Sequence, residues 1–118
     1  MTLSALNADV IVDQLNAGEV TATDCVQHFL DRIQVHNAEL NAFIRVSESA
    51  LEQAEAIDQR RKAGESLGCL AGLPIAIKDG ICVSGQPTTA GSKMLENFSP
   101  PYDATIVERL KSADAIII

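Results

Sequence analysis

Apolar positions recur at helical spacing in the first half of this chain and bunch into short runs in the second. From about Leu3 to Ala17, the residues Leu3, Leu6, Val10, Ile11 and Leu15 fall near one helix face, and Gly18 is a natural stop. Thr21 then predicts an N-cap, with Asp24 three residues on in a capping-box arrangement. The helix it opens spans about Ala22 to His36, with Val26, Phe29, Leu30 and Ile33 as its buried stripe. Asn37, which tolerates left-handed backbone, marks its end. Asn41 to Val46 reads as a short strand or extended connector. Ser47 caps a third helix from Glu48 to Ala63, with Ala50, Leu51, Ala54 and Ile57 inside and Gly64 beyond its end.

The second half changes character. Gly64 to Gly72 is a loop. Leu73 to Ile77 does not alternate with polar residues, so it predicts a buried strand with Pro74 at its beginning or edge. Asp79 to Gly91 is rich in Gly, Thr and Ser and predicts an irregular, site-forming loop. Asp103 caps a helix over Ala104 to Ala113, with Ile106, Val107 and Leu110 inward, and Ala115 to Ile118 is a second short apolar strand. Strand, loop, helix, strand in that order predicts a βαβ-like unit in a parallel or mixed sheet. The fold class is therefore α/β, with a helical region over 1–65 and the start of a sheet-containing core over 66–118. The apolar run ends at Ile118 without a cap or polar tail, so the chain reads as the front of a larger enzyme.

Composition narrows the function classes. The chain has 118 residues, 47% of them hydrophobic, so one buried core is expected. Its net charge of −7 argues against a nucleic-acid clamp, which needs clustered Lys and Arg. The one basic cluster, Arg60-Arg61-Lys62, ends the third helix and reads as a dipole-complementing, solvated group. Cys25, Cys69 and Cys82 form no Cys-x-x-Cys pair and read as reduced structural thiols. His28 and His36 lack a metal-ligand pattern, so no metal site is expected. No run is long enough to span a membrane, and the start is not that of a secretory signal.

The candidate chemistry sits at Gly72-Leu-Pro-Ile-Ala-Ile-Lys-Asp79. This run carries Lys78 from an apolar strand into a glycine-containing turn. A solvated lysine titrates near about 10.4 and is charged at neutral pH, so it cannot act as a base; dehydration disfavours the ammonium form. Burial beside Ile77 and Ile81 would supply that dehydration. An inward Asp79 carboxylate would undo it, so Asp79 is expected to turn away from the Lys78 amine and bond backbone groups of the turn. Ser84, Ser92 and Ser99 are not expected to act chemically. Gly91-Ser92-Lys93 is not a phosphate loop, and Thr88, Thr89 and Ser92 are expected to satisfy backbone groups around turns at Gly85 and Gly91.

These motifs resemble a known family. Gly72-x-Pro74-x-x-x-Lys78-Asp79 is followed by Thr88-Thr89-x-Gly91-Ser92, then by Pro100-x-x-Asp103-Ala104-x-x-Val107-x-x-Leu110 and the last apolar run. In that order they resemble the opening of the amidase signature family. Lys78-Asp79-Gly80-Ile81-Cys82, Ser92 to Phe98 and Tyr102 to Thr105 are most similar to the A subunits of amidotransferases acting on Glu-tRNA(Gln) or Asp-tRNA(Asn). The resemblance implies a mixed sheet covered by helices, here truncated, and a Ser, cis-Ser, Lys triad. Lys78 matches the catalytic lysine, as general base and charge relay; the two serines belong beyond Ile118. It also implies glutamine as substrate and a heterotrimer with B and C subunits. The B subunit uses ATP and magnesium and makes most of the tRNA contact, so no cofactor is expected in this chain. The implied setting is the bacterial cytoplasm, with an organelle left open.

Gly80 stands where Asn is usual, and Asp114 where Gly usually precedes the last strand. Two alternatives stand beside the leading reading. One is a free-standing amidase acting on small amides. The other is an inactive fragment that folds partially and at most binds a partner through its N-terminal helices.

Overall fold

The computed structural model describes residues 2–118. A 3-10 turn, Leu3–Ala5, precedes three helices: α1 (Ala8–Ala17), α2 (Ala22–Leu40) and α3 (Ala50–Lys62). Strand β1 (Pro74–Ile75) follows, then a second 3-10 turn (Lys93–Leu95), helix α4 (Thr105–Ser112) and strand β2 (Ile116–Ile117). β1 and β2 pair in parallel, Pro74 opposite Ile116 and Ile75 opposite Ile117, and α4 is the crossover between them. This is the expected βαβ unit. The ladder is shorter than the Leu73 to Ile77 run because β2 supplies only two partner positions; Leu73 is buried below it and Ala76 is exposed.

One core joins the helices to this unit. Ile11 and Leu15 of α1, Cys25 and Val26 of α2, and Ala54 and Ile57 of α3 pack with Leu73 and Ile116. Without Trp and with few aromatics, the core rests on aliphatic burial.

Several boundaries differ from expectation. The first helix does not run from Leu3 to Ala17: the chain is extended at Leu6 and Asn7 before α1 begins. Asn7 takes the N-cap position, where Asn is favoured. Leu3 and Leu6 still reach the core from outside α1, whereas Val10 faces outward. α2 does not stop at Asn37. It continues to Leu40, and Asn41 is the left-handed residue (φ 50°) that ends it. The Asn37 side chain instead accepts from Phe43 N–H (2.8 Å) and donates to Phe43 C=O (2.9 Å), folding the following segment back on the helix. That segment is a connector and not a strand. α3 begins at Ala50, not Glu48; Ser49 holds the N-cap position, and the Ser47 carbonyl accepts from Ala50 N–H at 3.3 Å.

The start of α2 is tied down twice. As expected, the Thr21 hydroxyl accepts from Asp24 N–H, at 3.0 Å. The second tie comes from α3: the Asp58 carboxylate accepts from Ala22 N–H (2.8 Å), Thr23 N–H (3.0 Å) and the Thr23 hydroxyl (2.7 Å). Amides with no partner inside the helix are thus satisfied from a different element. Burial pulls Asp58 toward protonation, but the Thr23 and Ala22 donors and nearby Lys62 outweigh it and hold the carboxyl below its ordinary range. A carboxyl lowered on folding stabilises the fold above the unfolded value of about 4 and loses that contribution as pH falls through the lower folded value. Asp58→Ala is expected to cost about 1–2 kcal/mol. It should also flatten the acid limb of the unfolding midpoint plotted against pH, measured by thermal denaturation.

The basic cluster is not merely solvated. Arg60 pairs with Asp114 (2.7 Å) and Glu65 (3.0 Å), and Arg61 donates to the Ala71 carbonyl at 3.1 Å. α3 thereby braces the loop that leads into β1. Asp103 does not cap α4 either. Ala104 holds that position, while the Asp103 carboxylate accepts from Ser84 N–H and Lys111 Nζ, each at 2.7 Å. Val107 is fully buried, Leu110 partly buried, and Ile106, expected inside, is exposed.

Candidate active site

Beyond β1 the chain runs Ala76-Ile77-Lys78-Asp79 and turns, with Ile81 N–H donating to the Lys78 carbonyl at 2.8 Å. The turn borders a cleft of about 360 Å³. Phe43 and Arg45 enter it from the α2–α3 connector, Lys78 and Asp79 from the turn, Gln86 and Thr88 from the following loop, and Ile117 and Ile118 from β2. Both parallel strands therefore open into one cleft at their carboxyl ends, the edge of an α/β sheet where ligands commonly bind.

Lys78 lines this cleft but is exposed, so the expected burial beside Ile77 and Ile81 is not present in residues 2–118. Those two side chains are partly buried on the cleft wall and leave the amine uncovered. Asp79 behaves as expected: among the described residues it makes no ion pair with Lys78. Its carboxylate accepts from Thr89 N–H (3.1 Å), Gly91 N–H (3.0 Å) and the Thr89 hydroxyl, and its carbonyl accepts from Ala90 N–H (3.0 Å). Burial raises the Asp79 carboxyl, but the Thr89 hydroxyl, the two amides and the Arg45 charge outweigh it and hold the group well below the ordinary carboxylate range.

Arg45 was not foreseen. Its Nη2 donates to the Asp79 carboxylate and to the Pro87 carbonyl. It lies 34 residues before Asp79 in an irregular segment, and no local pattern links the two.

The loop carries the turn chemistry its composition predicts. Thr89 is buried and serves Asp79, and the Ser92 hydroxyl accepts from Met94 N–H at 3.3 Å. Gly85 and Gly91 have left-handed backbone, φ 75° and 68°. Ser84, Ser92 and Ser99 do not line the cleft; Ser47 does, bonded to Gln86 Nε2 (3.4 Å), with no titratable base among its hydrogen-bond partners.

Both departures noted in the motif fit the structure. A Cβ at Gly80 would meet nothing within 4 Å, so a larger residue has room there. Asp114 adopts φ 61°, a conformation that Asp tolerates better than most residues. Its carboxylate also accepts from Gly68 N–H at 2.6 Å, which turns the departure into a tether. The Arg60 hydrogen bond is the main reason its carboxyl sits below the ordinary range, with burial opposing and the Gly68 amide assisting.

Cys25 is buried in the core, and burial pushes its thiol up to about 11, which leaves it unreactive. Cys69 and Cys82 are free thiols outside the core cluster. Among the described residues, no group of three or more His, Cys, Asp or Glu side chains could hold a metal ion, and no helix is long and apolar enough to cross a membrane.

Comparison with known proteins places this geometry. The Amidase family model matches residues 24–118. The A subunit of glutamyl-tRNA(Gln) amidotransferase from Rhodopirellula baltica is 54% identical over 113 residues, covering 95% of this chain and 23% of the relative. Its counterpart of the same name from Chlamydia pneumoniae is also 54% identical, over 102 residues, covering 86% of this chain and 21% of the relative. The structure of native peptide amidase from Stenotrophomonas maltophilia superposes with a TM-score of 0.89 at 33% identity, over 95% of this chain and 23% of that one. The chain thus spans about a quarter of the length of the relatives it matches. With a family match over residues 24–118 and the fold of a solved amidase reproduced over 95% of the chain, the chain belongs to the amidase family.

Proposed function

We propose that this chain is the Lys78-bearing quarter of the A subunit of a glutamine-hydrolysing amidotransferase, and that Lys78 is its general base. The observation that carries the reading is the meeting of Lys78 and Ile118 in one cleft. In this proposal a segment continuing from β2 would enter that cleft beside the lysine, giving the serines it carries a direct path to the amine. In the proposed reaction the neutral Lys78 amine takes a proton from the bridging serine. That serine takes the proton of the nucleophilic serine, whose oxygen attacks the glutamine side-chain amide. The proton returns from Lys78 through the bridging serine to the amide nitrogen, the carbon–nitrogen bond breaks and ammonia leaves; water, deprotonated by the same relay, then attacks the acyl-enzyme and releases glutamate. The cover that Lys78 lacks here is assigned to that same segment.

Ammonia then passes to a B subunit, which activates the misacylated tRNA with ATP and magnesium, while a C subunit holds the pair together. A net charge of −7 supports leaving most tRNA contact to the partner. The choice between Glu-tRNA(Gln) and Asp-tRNA(Asn) is also assigned to the partner. The amidotransferase reading is preferred to a free-standing amidase because the A subunits are 54% identical and the peptide amidase 33%. Reading the gene past codon 118 is the first test. Continuation into a Gly- and Ser-rich segment with two serines supports the proposal; a stop codon overturns it for the natural product and favours an inactive, partner-binding fragment. Ammonia release from glutamine that requires the B and C subunits would separate an amidotransferase component from a free-standing amidase.

A further inference from the structure

We propose that Arg45 is a positioning residue for Lys78: it straps the lysine-bearing turn to the 87–91 loop and balances the Asp79 carboxylate, so that this charge does not fall to the lysine. The proposal rests on the reading of Lys78 as the base.

Among the described residues the Lys78 side chain enters no ion pair. Its placement is therefore inherited from the backbone that carries it. That backbone is held locally by the Ile81–Lys78 hydrogen bond, and at longer range by Asp79, whose carbonyl and carboxylate bind Thr89, Ala90 and Gly91. Arg45 closes the arrangement. One guanidinium nitrogen reaches both the Asp79 carboxylate on the turn and the Pro87 carbonyl on the loop, and so fastens both to the connector leaving α2.

The charges facing the cleft are few. The connector brings Arg45, and the turn brings Lys78 and Asp79. The 83–88 loop contributes neutral Val83, Gln86, Pro87 and Thr88, and β2 contributes Ile117 and Ile118. Without Arg45, the cation left in the cleft to answer Asp79 is Lys78 itself. Lys78 adjoins Asp79 in the chain and lines the same cleft, and a carboxylate left without Arg45 would favour the ammonium form, which cannot accept a proton from serine.

The test uses the full-length chain carrying this segment, with Lys78→Ala as the control for the underlying reading. Glutaminase kcat and kcat/KM are measured against pH for wild type, Arg45→Met and Arg45→Lys. Arg45→Met is expected to move the acidic limb of kcat/KM upward by about one pH unit. It should lower kcat at neutral pH about tenfold, with KM for glutamine changed less than about twofold. Arg45→Lys, which restores the positive charge, is expected to recover most of the rate and the position of the limb. If Arg45→Met keeps the wild-type profile while Lys78→Ala is inactive, the positioning role is overturned and the base assignment stands. If Arg45→Met and Arg45→Lys lose activity equally, with the limb unmoved and the unfolding midpoint lowered, Arg45 is structural only and the proposal is likewise overturned. If wild-type hydrolysis does not depend on Lys78, the underlying reading fails and the proposal fails with it.

Discussion

Lys78→Ala in the full-length chain is expected to lower glutaminase turnover by about a thousandfold, the scale on which a positioned base contributes. The fold should be untouched. Among residues 2–118 Lys78 makes no ion pair and packs into no core cluster, so none of the contacts that hold this part of the fold is lost with its side chain. A loss of activity with no loss of stability at this position would be the signature of a chemical role. Lys78→Arg sharpens the result. Arginine keeps the charge and much of the reach, but stays protonated and cannot take a proton from serine. It should be as inactive as the alanine variant. Near-normal turnover in Lys78→Ala would refute the assignment, and substantial turnover in Lys78→Arg would show that the charge matters and the basicity does not.

The second large effect is expected far from the cleft. Gly68→Ala should destabilise the chain by about 3 kcal/mol, at the upper end of overpacking penalties. A Cβ at Gly68 would lie 2.3 Å from the Ala113 carbonyl carbon and 2.4 Å from its oxygen. Both atoms are backbone, so no rotamer change relieves the clash. The loop and the α4–β2 turn would have to part, straining three contacts that join them: Gly68 N–H to the Asp114 carboxylate (2.6 Å), Leu70 N–H to Ala113 C=O (2.9 Å) and Gly72 N–H to Asp114 C=O (3.1 Å). Because this loop leads directly into β1, activity should fall with stability. Gly80→Ala is the control: it lies beside Lys78, yet its Cβ meets nothing within 4 Å, and its cost should stay within about 0.5 kcal/mol. Thermal unfolding midpoints for the two variants test the contrast, and equal midpoints would overturn the account of Gly68.

The same two positions show what a reader of the bare chain could see. Lys78 stands out as a candidate because the run around it, an apolar stretch, then Lys-Asp, then a loop of Gly, Thr and Ser, resembles the opening of the amidase signature family; a lysine after a strand otherwise reads as an ordinary surface charge. Asp79 was legible because a carboxylate beside a base must go elsewhere, and loop amides were the available partners. Gly68 was not legible as a contact. It reads as one more loop glycine, and its requirement for a bare Cα comes from Ala113, about 45 positions away in the chain.

Local chemistry thus determined the helix starts and stops at Thr21, Gly18 and Gly64, the order strand, helix, strand and the apolar character of both strands. These depend on backbone preference and side-chain period over a few residues, which sequence carries directly. The tertiary structure alone decided that Asp58 caps a helix it does not belong to, that Arg60 answers the charge at Asp114, and that Arg45 holds Asp79. It also decided that α2 ends at Asn41 and not Asn37, since both residues can stop a helix and packing of the Phe43 segment against Asn37 selects the later one. The Asp58, Arg60 and Arg45 pairings join residues 36, 54 and 34 positions apart, over which no periodicity survives, while Asn37 and Phe43 are close in sequence but meet only because the connector folds back. Each is settled by which donors and acceptors the folded chain brings within hydrogen-bond reach.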